Sequence, residues 1–163
     1  GFGGGTSRER ILAIMKDSHI GTYGVISLIF YFLLSVLLLS SLPLSLRCAL
    51  LFAADPLAKG ITGAMVNLLP YARTAEQSKS GTVYTKMPLS KLVLSFVFAL
   101  LPVFIFMPLY AYGVIITVLV FFALVIMLKN KIGGYTGDCC GAVMLLCELS
   151  FYLMTILIYT QWR

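Results

Sequence analysis

Long apolar runs without a single charge dominate this sequence. Residues 25–42 contain no charged side chain, and neither do residues 92–128. A helix needs about 20 such residues to cross a bilayer. Over the whole chain 60% of the residues are hydrophobic and 11% are charged, whereas soluble domains carry about 25% charged residues. These features exclude most water-soluble folds and predict an all-α, polytopic membrane helix bundle.

Five membrane-spanning segments account for the apolar runs. We place them at residues 25–42, at 48–71, in the two halves of 92–128, and at 139–162. PLYAYG at residues 108–113 divides the longest run, because it supplies a tight turn. The second segment contains Asp55, Pro56 and Lys59, so we expect a kinked or interrupted helix, or two short ones. A short amphipathic helix is predicted over residues 8–16.

The basic residues predict the orientation of these segments, because Lys and Arg accumulate on the cytoplasmic side of membrane proteins. With the amino terminus inside, only Arg47 and Arg163 fall outside. The cytoplasmic side receives Arg8, Arg10, Lys16, Arg73, Lys79, Lys86, Lys91, Lys129 and Lys131. We therefore expect any chemistry on charged substrates at the cytoplasmic face. The net charge of +6 is attributed to this topology and not to nucleic-acid binding, since the charges lie between apolar runs.

The four cysteines do not form a recognisable metal or disulfide pattern. Cys48, Cys139, Cys140 and Cys147 show no CxxC spacing and no partnering histidines. We interpret them as small packing residues, so neither a zinc site nor a disulfide framework is predicted.

The segment KDSHIGTYG joins the short amphipathic helix to the first span and concentrates polar side chains at the membrane surface. These are Lys16, Asp17, Ser18, His19 and Thr22. They indicate either a binding and catalytic cluster or a solvated helix end. His19, the only histidine, is in the same way either a general base or an ordinary surface residue.

Two further segments could bind phosphate. In GGYTGDCCGA, residues 133–142, glycines precede a helix amino terminus, where backbone amides and the helix dipole attract anions and a carboxylate can hold a metal. The plain alternative is a glycine-rich turn with Asp138 as the N-cap. Arg73, in LLPYAR, is either a topology residue at the end of its span or a bidentate clamp for phosphate.

Charged residues inside the bilayer are costly and often functional. Glu148 lies about 15 Å along its helix from Asp138, and Lys59 lies about 16 to 18 Å from Tyr71, at about 1.5 Å per residue. Because the depths match, we predict an intramembrane pair of Lys59 and Glu148, either as a structural clamp or at the floor of a polar cavity. Asp55, four residues before Lys59, is the rival partner.

Taken in order, KDSHIGTYGV, LLPYAR and GGYTGDCCGA, followed by Glu148, resemble the cobalamin synthase family of adenosylcobinamide-GDP ribazoletransferases. The resemblance covers essentially the whole chain. It implies a multi-pass enzyme of the cell inner membrane that depends on Mg²⁺. Such an enzyme joins adenosylcobinamide-GDP to α-ribazole, or to its 5′-phosphate, and releases GMP in the last assembly step of cobalamin. The implied partners are these substrates and the lipid bilayer, without nucleic acid, and an oligomer is compatible with them.

The resemblance and the implied reaction also suggest roles for individual residues. Catalysis is expected to involve Asp17, His19 and Asp138, with His19 as the base. Asp17 and Asp138 would be the metal-side carboxylates. Substrate binding is expected to involve Lys16, Ser18, Arg73, Thr136 and Gly137, and Lys129 or Lys131 could also offset phosphate charge.

We expect residues 1–163 to form a single integral-membrane domain. The resemblance implies that an Asp-rich loop and about two helices lie upstream of Gly1. That loop would supply the principal Mg²⁺ ligands, so the chain alone is expected to be inactive.

Two other functions fit parts of the sequence. A CDP-alcohol-type membrane phosphotransferase would use similar metal chemistry, but its DGxxAR signature is absent. A small ion-coupled transporter could place Lys59 and Glu148 along an ion path, although the sequence shows no internal repeat.

Overall fold

The computed structural model describes residues 1–17, 19–73 and 86–162. Five helices in this part of the chain are long and apolar enough to cross a membrane. The helices are α1 (Arg8–Lys16), α2 (Thr22–Ser40), α3 (Leu44–Gly63), α4 (Met65–Leu68), α5 (Leu89–Phe106), α6 (Gly113–Ile132) and α7 (Gly137–Gln161). The described residues contain no strand, only an isolated bridge between two tyrosines. The prediction of an all-α, multi-pass membrane bundle is confirmed.

The helix ends follow local chemistry. Ser7 caps α1, because its hydroxyl accepts a hydrogen bond from the Arg10 backbone N–H at 3.3 Å. Gly133 ends α6 in the left-handed conformation, with φ of 68°, which glycine adopts without steric cost. The predicted turn at residues 108–113 contains a short 3-10 helix, Pro108–Tyr110.

The second span differs in one respect from the expected irregular helix. α3 runs continuously through Pro56 and ends at Gly63, and α4 follows after Ala64. The interruption therefore lies near the end of the span and not at the proline. Together the two helices form a 25-residue span, Leu44–Leu68.

α3 lies at the centre of the bundle and packs against α5, α6 and α7. Small residues at the helix surface allow this close packing. Gly60 on α3 faces Ala99 on α5, and the two helices touch so closely that a Cβ atom at position 60 would collide with the alanine side chain. α2, in contrast, has no buried residue and packs mainly against α7.

Gly60→Ala is expected to lower the free energy of unfolding by about 1 to 3 kcal/mol, because the added methyl group overpacks the α3–α5 contact. Denaturation in detergent micelles measures this effect. Gly141→Ala on α7 is the matched control, since nothing lies within 4 Å of its added Cβ atom. Equal stability of the two variants would contradict the close contact at Gly60.

The connections bring several polar segments to one end of the bundle. This end contains α1, residues 70–73 and residues 132–138, which are joined by the hydrogen bonds described below. We refer to it as the α1 end. The turns at residues 41–43 and 107–112 lie at the opposite end of the long helices.

Candidate active site

Two of the motifs identified in the sequence meet at the α1 end. The Ala72 backbone N–H donates to the Tyr135 carbonyl at 2.8 Å, and the Tyr135 N–H donates to the Pro70 carbonyl at 3.0 Å. The rings of Tyr71 and Tyr135 stack edge to face, with centroids 5.4 Å apart. LLPYAR and GGYTGD thus form one joint, although they lie far apart in the sequence, at residues 68–73 and 133–138.

Gly134 makes this joint possible. A Cβ atom at position 134 would collide with the Pro70 carbonyl oxygen and would lie 3.3 Å from the Ala72 nitrogen. The backbone of residues 70–72 leaves no space for any side chain there, so the glycine is required by close approach and not by its φ angle.

Gly134→Ala is expected to separate the two segments and to lower activity about tenfold or more, because it displaces Arg73 relative to Asp138. Turnover and thermal stability are both measured in membranes. Gly63→Ala serves as the control, since its Cβ atom would meet only a methionine methyl at an ordinary 3.8 Å. Normal turnover of Gly134→Ala would show that the joint does not shape the site.

Helix α1 is held over this joint by two arginines. Arg8 Nε donates to the Ile132 carbonyl at 2.8 Å, and its Nη2 donates to the Ala72 carbonyl at 3.3 Å. Arg73 Nη2 donates to the Leu12 carbonyl on α1 at 3.3 Å. Arg73 is buried, with a relative exposure of 8%, so its charge is fixed in place.

A pocket of about 370 Å³ opens between α1 and residues 72–73. It is lined by Arg8, Glu9, Leu12, Ala13, Lys16, Ala72 and Arg73. Three cationic side chains and one carboxylate give the lining a net positive charge, which suits an anionic ligand. The structure thus brings together Lys16 and Arg73, two of the residues predicted to bind substrate.

Arg8 and Glu9 also line this pocket, although the sequence predicts neither as a binding residue and indicates Arg8 only as part of the topology signal. A helical signal was available: Arg8, Leu12 and Lys16 follow one another at intervals of four, so they share one face of α1.

The start of α7 carries the residues predicted from GGYTGDCCGA, namely Thr136, Gly137 and Asp138. Thr136 is the N-cap, and its buried hydroxyl accepts a hydrogen bond from the Cys139 N–H at 3.4 Å. The alternative in which Asp138 caps the helix is therefore wrong. Asp138 is exposed and has no hydrogen-bond partner among the described residues, and Gly137 leaves open space around its backbone. A carboxylate and exposed backbone are available to a ligand here.

Asp17 and His19 lie next to the pocket without lining it. The Asp17 Oδ1 atom accepts a hydrogen bond from the His19 backbone N–H at 2.9 Å and lies 2.7 Å from His19 Nδ1. Both side chains are exposed. The contact orients the imidazole and leaves its Nε2 atom pointing away from the carboxylate. Ser18, also predicted to bind substrate, lies outside the described residues.

A complete metal site does not occur in the part of the chain that the structure describes. There, no three or more His, Cys, Asp or Glu side chains form a group that could hold a metal ion. The two predicted metal ligands, Asp17 and Asp138, are exposed carboxylates. Mg²⁺ is commonly bound by one or two carboxylates together with substrate phosphates, so each of them has the chemistry of a Mg²⁺ ligand.

The predicted pair of Lys59 and Glu148 is wrong. Lys59 Nζ lies 2.7 Å from Asp55 Oδ2, because α3 continues through Pro56 and places the two side chains one turn apart. Glu148 instead accepts hydrogen bonds from the Tyr152 hydroxyl at 2.6 Å and from the Tyr31 hydroxyl at 3.0 Å. The rival partner Asp55 is the one observed.

Two of the four cysteines lie in the packed interior. Cys139 and Cys147 are buried in the bundle, whereas Cys48 is exposed and Cys140 is partly buried. Thr136 and Cys139 contact each other at the start of α7, with the hydroxyl 3.2 Å from the sulfur. The interpretation as packing residues therefore fits Cys139 and Cys147 and does not fit the exposed Cys48.

Comparison with known proteins assigns the chain to a family. A family model described as cobalamin-5-phosphate synthase matches residues 1–156. The chain belongs to this family. The match includes the pocket, the joint of residues 70–72 with Tyr135, and most of α7.

Relatives in this family carry one shared name. An adenosylcobinamide-GDP ribazoletransferase from Pseudoalteromonas atlantica is 41% identical over 161 residues, which cover 96% of this chain and 60% of the relative. One from Azorhizobium caulinodans is 39% identical over 171 residues, with 99% of this chain and 63% of the relative covered. The chain therefore spans about three fifths of the length of the curated relatives it matches. No solved structure matches it.

Proposed function

We propose that this chain forms part of a membrane-bound transferase that joins adenosylcobinamide-GDP to α-ribazole, or to its 5′-phosphate, and releases GMP. The family assignment supports this class of reaction. The observation that carries the proposal is the positively charged pocket beside the joint between LLPYAR and GGYTGD. It combines three cationic side chains with the exposed carboxylate of Asp138 at the same end of a bundle of membrane-spanning helices.

The pocket is suited to the diphosphate and GMP portion of the substrate. Its volume of about 370 Å³ lies at the small end of the range of ligand pockets, about 300 to 1,000 Å³. The corrinoid is much larger and would extend outside it. Arg73, Arg8 and Lys16 would offset the phosphate charge, and a guanidinium can bind two phosphate oxygens at once.

The reaction requires a nucleophile, a leaving group and a proton acceptor. A ribose hydroxyl of α-ribazole attacks the phosphorus nearest cobinamide, and the bond from that phosphorus to the bridging oxygen breaks, so that GMP leaves. The cationic pocket lining stabilises the charge that develops on GMP. His19 Nε2 accepts the hydroxyl proton, and Asp17 holds the imidazole in position.

Mg²⁺ is proposed as the cofactor. Asp138 and Asp17 would hold it together with phosphate oxygens of the substrate. When bound, the ion would polarise the diphosphate and neutralise part of its charge. Every other role in the reaction falls to side chains of the pocket and of its rim.

The active face is proposed to be cytoplasmic and the membrane to be the cell inner membrane. At the α1 end the structure places Arg8, Lys16 and Arg73, and Lys129 and Lys131 lie in the last turn of α6. Arg47 lies at the opposite end, in the first turn of α3. This asymmetry is typical of the cytoplasmic side.

One assay tests the proposed function. The intact protein in liposomes receives adenosylcobinamide-GDP, α-ribazole and Mg²⁺, and the release of GMP is measured. We expect product formation that stops when a chelator removes the metal. No GMP at any Mg²⁺ concentration would reject the proposal, and turnover of a CDP-alcohol under the same conditions would favour the phosphotransferase alternative.

A further inference from the structure

Glu148 lies inside a membrane-spanning helix and is not among the pocket-lining residues, but its hydrogen bonds connect two helices that lead to the site. Its two carboxylate oxygens accept hydrogen bonds from two tyrosines: Oε1 from Tyr152 on α7 and Oε2 from Tyr31 on α2. The Tyr152 bond, one turn away on the same helix, fixes the direction of the carboxylate. The second oxygen is thereby presented to α2.

The contact with Glu148 is the polar attachment of helix α2 to the bundle in the described part of the chain. None of its residues is buried. Among the described residues, the bond from Tyr31 to Glu148 is the one side-chain hydrogen bond that joins α2 to another helix, since Ser27 and Ser41 donate to carbonyls of α2 itself. In a bilayer no water competes for these groups, so a hydroxyl and a carboxylate that meet there stay bonded.

The bond also sets the depth of α2 relative to α7. Tyr31 lies about 14 Å along the helix from Thr22, and Glu148 lies about 17 Å from Gly137, at about 1.5 Å per residue. The first turns of α2 and α7 are therefore held at nearly the same depth. The loop that precedes α2 carries His19, which contacts Asp17 at the end of α1, and Asp138 is the second residue of α7.

We infer that Glu148 is a positioning residue, which through Tyr31 and α2 aligns the Asp17–His19 pair with Asp138. The pocket itself is held separately, because Arg8 and Arg73 fasten α1 to the joint. Loss of the bond between Tyr31 and Glu148 therefore disturbs the alignment of the reacting groups more than the binding of the diphosphate. In its effect on catalysis this inference rests on the proposed function.

The test begins with Tyr31→Phe, which removes only the hydroxyl and keeps the ring. We expect amide hydrogen exchange in residues 19–24 to rise at least threefold in the intact protein in nanodiscs, with exchange in the first turn of α7 unchanged. Ser27→Ala is the matched control, because it removes a hydroxyl from the same helix that bonds only to the Tyr23 carbonyl. If Tyr31→Phe exchanges like Ser27→Ala, the inference is overturned.

Kinetics give a second, independent measurement. Tyr31→Phe is expected to lower kcat about tenfold and to leave KM for adenosylcobinamide-GDP within about twofold, since the pocket is intact. Glu148→Gln retains an acceptor oxygen and should keep kcat within about threefold of wild type, whereas Glu148→Ala should match Tyr31→Phe. A general loss of folding would instead lower the amount of monodisperse protein.

A double-variant cycle completes the test. Tyr31→Phe combined with Glu148→Ala should be no slower than Glu148→Ala alone, because both changes break the same bond. Multiplying effects would overturn the inference. If the wild-type protein released no GMP but Tyr31→Phe still raised exchange in residues 19–24, the proposed function would fail while the positioning role of Glu148 for α2 would stand.

Discussion

Asp138→Asn is expected to reduce turnover by about a thousandfold or more without affecting membrane insertion. The carboxylate is exposed in the first turn of α7 and has no hydrogen-bond partner among the described residues, so the fold does not depend on its charge. As a proposed Mg²⁺ ligand it contributes several kcal/mol to the transition state, and about 1.4 kcal/mol corresponds to a factor of ten. Single-turnover release of GMP measures the turnover, and thermal unfolding of the membrane-inserted protein measures the stability of the fold.

A variant two residues earlier distinguishes a loss of catalysis from a loss of helix capping. Thr136→Ala removes the hydroxyl that caps α7 and is expected to lower the free energy of unfolding by about 1 kcal/mol. Asp138→Asn should leave that free energy nearly unchanged while it lowers turnover far more than Thr136→Ala does. A destabilised Asp138→Asn with normal turnover would remove Asp138 from the proposed site.

Arg73→Lys is expected to raise KM for adenosylcobinamide-GDP by between about tenfold and a hundredfold. The buried guanidinium donates to the Leu12 carbonyl and also lines the pocket. A lysine ammonium is a compact charge that cannot fix α1 and bind phosphate with two parallel hydrogen bonds. Charge-assisted hydrogen bonds contribute about 1.5 to 3 kcal/mol each, which corresponds to this range.

Equilibrium binding of GMP provides a second measurement for Arg73, because it does not require turnover. Arg47→Lys is the matched control: Arg47 also donates to a backbone carbonyl, that of Leu42 at 2.9 Å, but it lies at the opposite end of the bundle. We expect GMP affinity to fall in Arg73→Lys only. Equal affinity in both variants would show that the pocket does not hold the nucleotide.

The membrane-spanning segments could be predicted from the sequence because an apolar run is a local property. Residues 25–42 and 92–128 cannot lie in water, and their lengths limit how many times they cross the bilayer. The structure confirms five spans and the short helix Arg8–Lys16. The position of the interruption in the second span was harder to predict from the sequence. Whether a helix continues through Pro56 depends on how α3 packs against its neighbours.

The candidate site was partly predictable. Lys16 and Arg73 were identified as ligands for an anion, and they do line one pocket. Arg8 was not, because the helical spacing that places it on one face of α1 with Lys16 does not show that α1 folds back onto residues 72 and 132. The cap of α7 was assigned to Asp138 in the plain alternative, but Thr136 is also a good N-cap residue, and the observed start of the helix makes Thr136 the cap.

The sequence by itself determined how often the chain crosses the membrane and which polar segments gather at one end, because both follow from run length and from the order of the charges. Only the tertiary structure decided which polar groups meet. Lys59 matched Glu148 in depth, yet it bonds Asp55, and Glu148 bonds Tyr31 and Tyr152. Hydropathy fixes the depth of a side chain, but a bond also depends on the rotation of each helix about its axis, which is set by packing against neighbouring helices.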